Sequence, residues 1–202
     1  MQRFDERKKK AFKELARQAI YEATLAVIKE HGYDGLTMQR VATAAGIATG
    51  TLYNYFKNKD ELLIYADKMI HLEFLEFFGE LNALSVSARE KLDKWVEGIY
   101  GFAREHMQVW IIMDQANIFS KMPKQELLNN HRDFENTFVT VVQQGIKEAC
   151  FRQVDPAVAG ELFAMTLSGM ICRKAEMGTF DADADKEKVL DFFFHYLGCA
   201  DV

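Results

Sequence analysis

Between Leu36 and Leu62 the chain reads LTMQRVATAAGIATGTLYNYFKNKDEL, and this stretch restricts the fold more than any other. Its apolar residues Val41, Ala45, Ile47, Leu52 and Tyr55 are spaced so that two short helices, about Thr37 to Ala44 and Thr49 to Tyr55, cross and share one core. Ala42 falls where the helices come closest, which only a small side chain permits. Gly46 falls at the turn, where a left-handed backbone costs glycine little. Helices this short are not stable alone and must pack on a neighbour. That neighbour precedes them: from about Glu6 to His31, the residues Phe12, Ala16, Ala19, Ala23 and Val27 recur on one face, and Gly32 and Gly35 close the helix. A long helix starts at Asn58, with Glu61 three positions on as capping partner, and Asp60 and Glu61 offset its positive end. It is expected to run to about Leu81.

The remainder reads as further helices. Ser87 with Glu90 repeats the capping logic and starts a helix to about Glu105, followed by a less regular stretch from His106 to Met122. Pro123 opens a helix whose apolar positions Leu127, Phe134, Phe138, Val141 and Ile146 carry it to about Phe151. Asp155-Pro156 is another start and Gly178 its stop. With only two prolines in 202 residues, 49% hydrophobic and 27% charged residues, the reading is all-α. Ala157–Cys172 and Val189–Leu197 are apolar on nearly every side, yet each is too short to span a membrane and Glu161 or His195 interrupts it. Helices apolar all round must be covered all round, so the last two are the candidate homodimer interface. The charged start lacks the apolar run of a signal peptide, which makes the cytoplasm the expected location.

Net charge is −5, but unevenly spread: residues 1–63 hold 11 Lys+Arg against 8 Asp+Glu, while the rest hold 14 against 22. The basic residues Arg7, Lys8, Lys9, Lys10, Arg17, Arg40, Lys57 and Lys59 gather in the first third. Phosphate binding depends on the local field more than on the total charge. The acidic remainder disfavours a highly anionic ligand there. Cys150, Cys172 and Cys199 are odd in number, lack metal-ligand spacing and fall in predicted helices. They read as buried thiols, with redox sensing as the alternative. His31, His71, His106, His131 and His195 are scattered, with no metal-binding pair and no nucleophile elbow, so no enzyme, cofactor or metal site is expected.

From about Lys10 to Leu63 the sequence resembles the TetR family of bacterial repressors. A long first helix, the GYDGLT turn, the VATAAGIATGTLYNYF core and the KNKDEL start of the fourth helix match in order. The resemblance implies an N-terminal three-helix helix-turn-helix DNA-binding domain (1–57) joined by a long helix to a helical ligand-binding and dimerisation domain (58–202). Carried over by position, Thr37 sets its hydroxyl and the following N–H groups against a phosphate at a helix start. Gln39 and Arg40 reach a base edge or a phosphate. The second short helix enters the major groove. There Ala48, Thr49 and Gly50 permit close approach, Tyr53 and Asn54 reach bases or phosphates, and Leu52 and Phe56 point inward. Tyr55 is open between packing and a phosphate bond. Lys57 resembles the family's phosphate-binding lysine, Lys59 assists it, and Lys8, Lys9 and Lys10 form a basic arm.

The implied partners are a double-stranded DNA operator, a second copy of the chain and a small apolar effector. The effector would meet residues among Tyr100, Trp110, Met113, Phe134, Phe138 and Met165, since aromatic and methionine side chains line deformable apolar pockets as well as cores. The rival reading is a regulator controlled by thiol oxidation or a protein partner, with Cys172 serving the thiol version. Whether the chain represses or activates depends on where its operator lies.

Overall fold

The computed structural model describes residues 2–198; Cys199 and the side chains of Lys8, Lys9 and Lys10 lie outside the described residues. Among those described, eight α-helices follow one another with no strand. They are α1 (Gln2–Gly35, broken at Gly32, which takes a left-handed φ of 61°), α2 (Met38–Ala44), α3 (Thr49–Tyr53), α4 (Lys59–Ala83), α5 (Ala88–Gln115), α6 (Lys124–Lys147), α7 (Pro156–Glu176) and α8 (Ala182–Leu197), with a 3-10 turn at Phe119–Lys121. The all-α expectation is met. Packing gathers them into two compact units. The first takes the chain up to Ile70 with Gln108–Met122, and the second takes His71–Met107 with the chain from Pro123 on, so α4 and α5 contribute to both. The sequence division at 57/58 separates expected roles; the packing division falls later, within α4.

The first unit is built on the second half of α1, where Ile20, Tyr21, Ala23, Thr24, Val27 and Ile28 are buried with Leu36, Val41, Ala42, Leu52, Phe56, Leu62 and Leu63. Thr24 is accommodated because its hydroxyl donates to the Ile20 carbonyl at 2.7 Å. The expected α1 face is therefore right only from Ala23 onward. Phe12 is 69% exposed, and Ala19 is exposed as well, because the buried part of α1 begins at Ile20.

The second unit packs around rings. Phe138 of α6 stacks on Phe163 of α7 with centroids 3.7 Å apart, and Phe193 of α8 closes on Phe163 at 4.2 Å. Gly160 makes this approach possible, since a Cβ there would lie 2.8 Å from Val139 Cγ2 and 3.2 Å from the Glu135 carbonyl oxygen. Beside the rings, Asp185 at the start of α8 is buried and paired with Lys174 of α7, with Lys188 at 3.7 Å.

Two helix ends differ from expectation. α5 continues to Gln115 in place of the irregular stretch after Glu105; Val109, Ile112 and Met113 are buried there. α6 stops at Lys147, short of Phe151, because Ala149 takes a left-handed φ of 58° and the Cys150 N–H turns back to the Gly145 carbonyl at 3.0 Å. Cys150 thus lies half-buried in a turn outside any helix.

His106 of α5 is 3% exposed, with Nε2 3.8 Å from Glu73 Oε2 and its ring 4.4 Å from that of Phe102. Burial lowers its pKa against the opposing pull of Glu105 and Glu73. The unfolded chain therefore takes up a proton first as the pH falls below the ordinary histidine value of about 6.5, and stability is lost from there until the folded-state value is passed. His106→Leu is expected to flatten the fall in Tm between about pH 7 and pH 5, followed by circular dichroism. An unchanged slope would refute a buried neutral imidazole.

Candidate nucleic-acid interface

α2 ends in a turn that fixes the direction of α3. Gly46 adopts a φ of +67°, the Gly46 N–H donates to the Thr43 carbonyl at 3.1 Å and the Ile47 N–H to the Ala42 carbonyl at 3.0 Å. This left-handed cap satisfies the last carbonyls of α2 and turns the chain sharply. α3 then buries Leu52 fully and leaves Ala48, Gly50, Thr51, Tyr53 and Asn54 exposed. Thr49 and Tyr55 are half-buried. The exposed surface of α3 is small side chains at its start and hydrogen-bonding ones at its end, which suits a groove where a backbone must come close before a side chain reads an edge. Thr51 belongs to that face too and was not among the expected residues; its place next to buried Leu52 was the available signal.

At the start of α2, Thr37 is exposed and its Oγ1 accepts from the Arg40 N–H at 3.2 Å. That bond caps the helix and leaves the hydroxyl proton to donate outward, as a phosphate contact requires. Gln39 is exposed. Arg40 has a structural task as well: Nη1 donates to the Gly35 carbonyl at 2.9 Å, supplying a donor at the end of α1.

Lys59 does the same at Tyr33, donating to its carbonyl at 2.9 Å with Nζ 3.6 Å from the centre of its ring. Burial lowers its pKa, opposed by Asp34 and Asp60. An ammonium so engaged is committed to holding α4 against α1, not to a phosphate. Lys57 is the contrast, with its side chain 85% exposed and Glu61 3.8 Å away. Its backbone is fixed, because the Lys57 N–H donates to Glu61 Oε2 at 2.8 Å while Asn58 Oδ1 accepts from the Glu61 N–H at 2.9 Å. The expected cap at Asn58 is present, with Glu61 reaching one residue further back than a capping box needs.

The six residues expected to meet an effector fall in both units. Tyr100 and Phe138 are buried, Phe134 half-buried and Met165 66% exposed in the second unit, while Met113, buried, and Trp110, half-buried, belong to the first. Met165 lies on an outward stripe of α7 with Val158 and Leu162, which are 47% and 44% exposed, followed by Gly169 and Cys172. Cys172 is thus exposed and not the buried thiol expected from its apolar surroundings in the sequence. Among the described residues no group of His, Cys, Asp and Glu is arranged to hold a metal ion, and no helix is long and apolar enough to cross a membrane.

Comparison with known proteins agrees with this geometry. Residues 20–66 match the model of the bacterial regulatory proteins of the tetR family, and residues 85–195 match the tetracyclin repressor-like C-terminal domain. Over 142 residues, 67% of each chain, the sequence is 23% identical to the HTH-type transcriptional repressor KstR2 of Mycolicibacterium smegmatis. It is 40% identical to the fatty acid metabolism regulator protein of Bacillus subtilis over 73 residues, which cover 36% of this chain and 38% of that one. The fold is similar to that of the fatty acid degradation regulator FadR from Bacillus halodurans, with a TM-score of 0.67 at 22% identity over 86% of this chain and 95% of the other.

Two substitutions separate the roles. A Cβ at Gly50 would meet nothing within 4 Å, so the fold does not require glycine there. Alanine stabilises helix interiors over glycine by up to ~1 kcal/mol. Gly50→Ala is expected to keep or raise Tm while weakening DNA binding in an anisotropy titration; full affinity would remove α3 from the interface. Lys57→Ala is expected to weaken binding to all duplexes alike and to reduce the slope of log K against log salt by about 1. An unchanged slope would exclude a phosphate contact.

Proposed function

The chain belongs to the TetR family of DNA-binding bacterial transcription regulators, and from this premise we propose that it is a dimeric repressor that leaves its operator when a small, largely apolar ligand binds the helical region after residue 57. The observation that carries the DNA-binding half is α3, which buries Leu52 and presents Gly50, Thr51 and Tyr53 outward. In this reading residues 1–57 contact the operator. Thr37 and Lys57 anchor phosphates, Ala48, Thr49 and Gly50 line the groove, and Gln39, Tyr53 and Asn54 meet bases or phosphates. Arg40 and Tyr55 contribute what their structural contacts leave free. The protein acts in the cytoplasm and catalyses nothing.

The dimer forms through α7 and α8. Support comes from the stripe Val158, Leu162 and Met165 on α7 and from Phe192 on α8, which is 53% exposed. Burying side chains of this size contributes ~1.5–3 kcal/mol each, enough for a handful to hold two copies together. Met165 then serves the interface, and the effector meets residues among Tyr100, Phe134 and Phe138 of the second unit, or Trp110 and Met113 of the first. Two similar proteins carry fatty acid metabolism or degradation in their names, which supports fatty acids and their derivatives as the first effectors to test.

A second reading has one observation in its favour, the exposure of Cys172 on the same stripe. Oxidation there would act on the dimer. Cys150 does not share this fitness, because burial, then Glu148, raises its thiol pKa and keeps it protonated.

The test uses labelled duplex from upstream of the protein's own gene. Fatty acids and their esters of graded chain length are expected to release the protein from it and to raise Tm over the same concentration range. Release by peroxide alone, abolished by Cys172→Ser, would replace the effector reading with thiol control.

A further inference from the structure

Among the described residues, three polar side-chain atoms in the second unit are buried without a hydrogen-bond partner: Asn82 Oδ1, Trp95 Nε1 and Tyr100 Oη. Two of them have a local explanation. The Asn82 amide is held by its other end, Nδ2, which donates to the Thr137 carbonyl at 2.9 Å. The Trp95 indole is boxed by rings, with Phe134, Phe138 and Phe163 standing edge to face at 78°, 72° and 74°, so a ring face can receive its N–H.

Tyr100 has no such account. Its ring lies nearly parallel to that of Phe180, at 22° and 6.1 Å, an arrangement that offers the hydroxyl nothing. The residue is 2% exposed, and a buried hydroxyl without a partner is unfavourable unless something supplies one. The charge near it restricts what that partner is. Asp185 is close enough to disfavour a negative charge on Tyr100, and its own oxygens are occupied by Lys174, Lys188 and the Asp181 N–H. The first turn of α8 adds Asp183, with Asp181 capping it. Burial first, and Asp185 second, push the Tyr100 pKa up to about 12, so the hydroxyl is a proton donor throughout the neutral range. Even paired with Lys174 and Lys188, Asp185 still disfavours a negative charge at Tyr100, so a proton donor here favours an uncharged acceptor over a carboxylate.

We propose that the Tyr100 hydroxyl is the polar anchor of the effector site, donating its hydrogen bond to a neutral carbonyl oxygen, in an ester, thioester or ketone, on an otherwise apolar ligand. The proposal rests on the reading of an apolar effector and adds its head group. Phe180, on the short connection between α7 and α8, sets its ring alongside that of Tyr100 and offers an apolar surface there.

Tyr100→Phe removes the oxygen and little else, so it tests the anchor without opening a cavity. Methyl decanoate, decanoate and decane are titrated into the full-length wild type and variant, with binding read from tryptophan fluorescence and Tm measured on the same samples. The expected result is that wild type prefers methyl decanoate, that Tyr100→Phe loses about fivefold affinity for it and none for decane, and that the unliganded variant has an equal or higher Tm. Equal binding of methyl decanoate by the two proteins overturns the anchor while leaving the effector reading intact. Tighter binding of decanoate than of its ester overturns the neutral head group. Failure of all three probes to bind wild type overturns the apolar-effector reading, and the anchor with it.

Discussion

A helix of five residues cannot hold itself together in water, so α3 exists only through what covers Leu52. Ordering five residues costs about 5–10 kcal/mol of backbone entropy, whereas burying one leucine returns ~1.5–3 kcal/mol. The balance must come from the unit as a whole. Leu52 is buried along with Val41 and Ala42 of α2, with Phe56, and with the second half of α1. The outer face of α3 is then presented by a scaffold it does not contribute to, and its residues are free to be chosen for what they meet outside the chain.

The same economy governs the cations. The resemblance and the charge balance count Arg40 and Lys59 towards the nucleic acid, yet both donate to carbonyls at the end of α1, at Gly35 and Tyr33. A helix end needs such donors, and long side chains from α2 and α4 supply them. Arg40 keeps further N–H groups for a second partner; the Lys59 ammonium, set over the Tyr33 ring, is spent. Lys57, which carries its charge outward, is the cation at this surface with least structural duty. The positive excess of the first third of the chain is therefore partly mortar: these cations keep their charge, but fewer of them are available for direct contact with a phosphate than the count of residues implies.

The helix-turn-helix was legible because its determinants are local: a small residue, a glycine and a few apolar side chains within twenty positions, all visible along the chain. Capped starts were legible for the same reason. Ser87 with Glu90 and Asp155 before Pro156 make the bonds their spacing implied, and Asn58 caps the Glu61 N–H while the Glu61 carboxylate reaches on to Lys57. Endings without glycine were not. Ala149 takes the left-handed position that closes α6, and Asn117, at φ 53°, follows α5, so neither stop carried the usual marker. The run HMQVWIIMDQ has no polar face to give it a period, which hid the last turns of α5. Phe12 looked like core and Met165 like a pocket lining by type alone, and only the reach of neighbouring helices decides that both are exposed. The effector residues were least legible of all, since a pocket is made by side chains distant in sequence.

Under the proposed function, magnitudes divide the work of an effector between its parts. Moving a two-state equilibrium from almost wholly bound to almost wholly released takes about 5.5 kcal/mol of preference for one state. One hydrogen bond from Tyr100 to a neutral carbonyl supplies ~1 kcal/mol of this at most. The remainder corresponds to about 200 Å² of apolar surface withdrawn from water in one state and not the other, at ~25 cal/mol per Å². An alkyl chain or fused ring system has that area, and a small polar metabolite does not. The hydroxyl therefore selects among apolar ligands, while the apolar body supplies the energy that drives release.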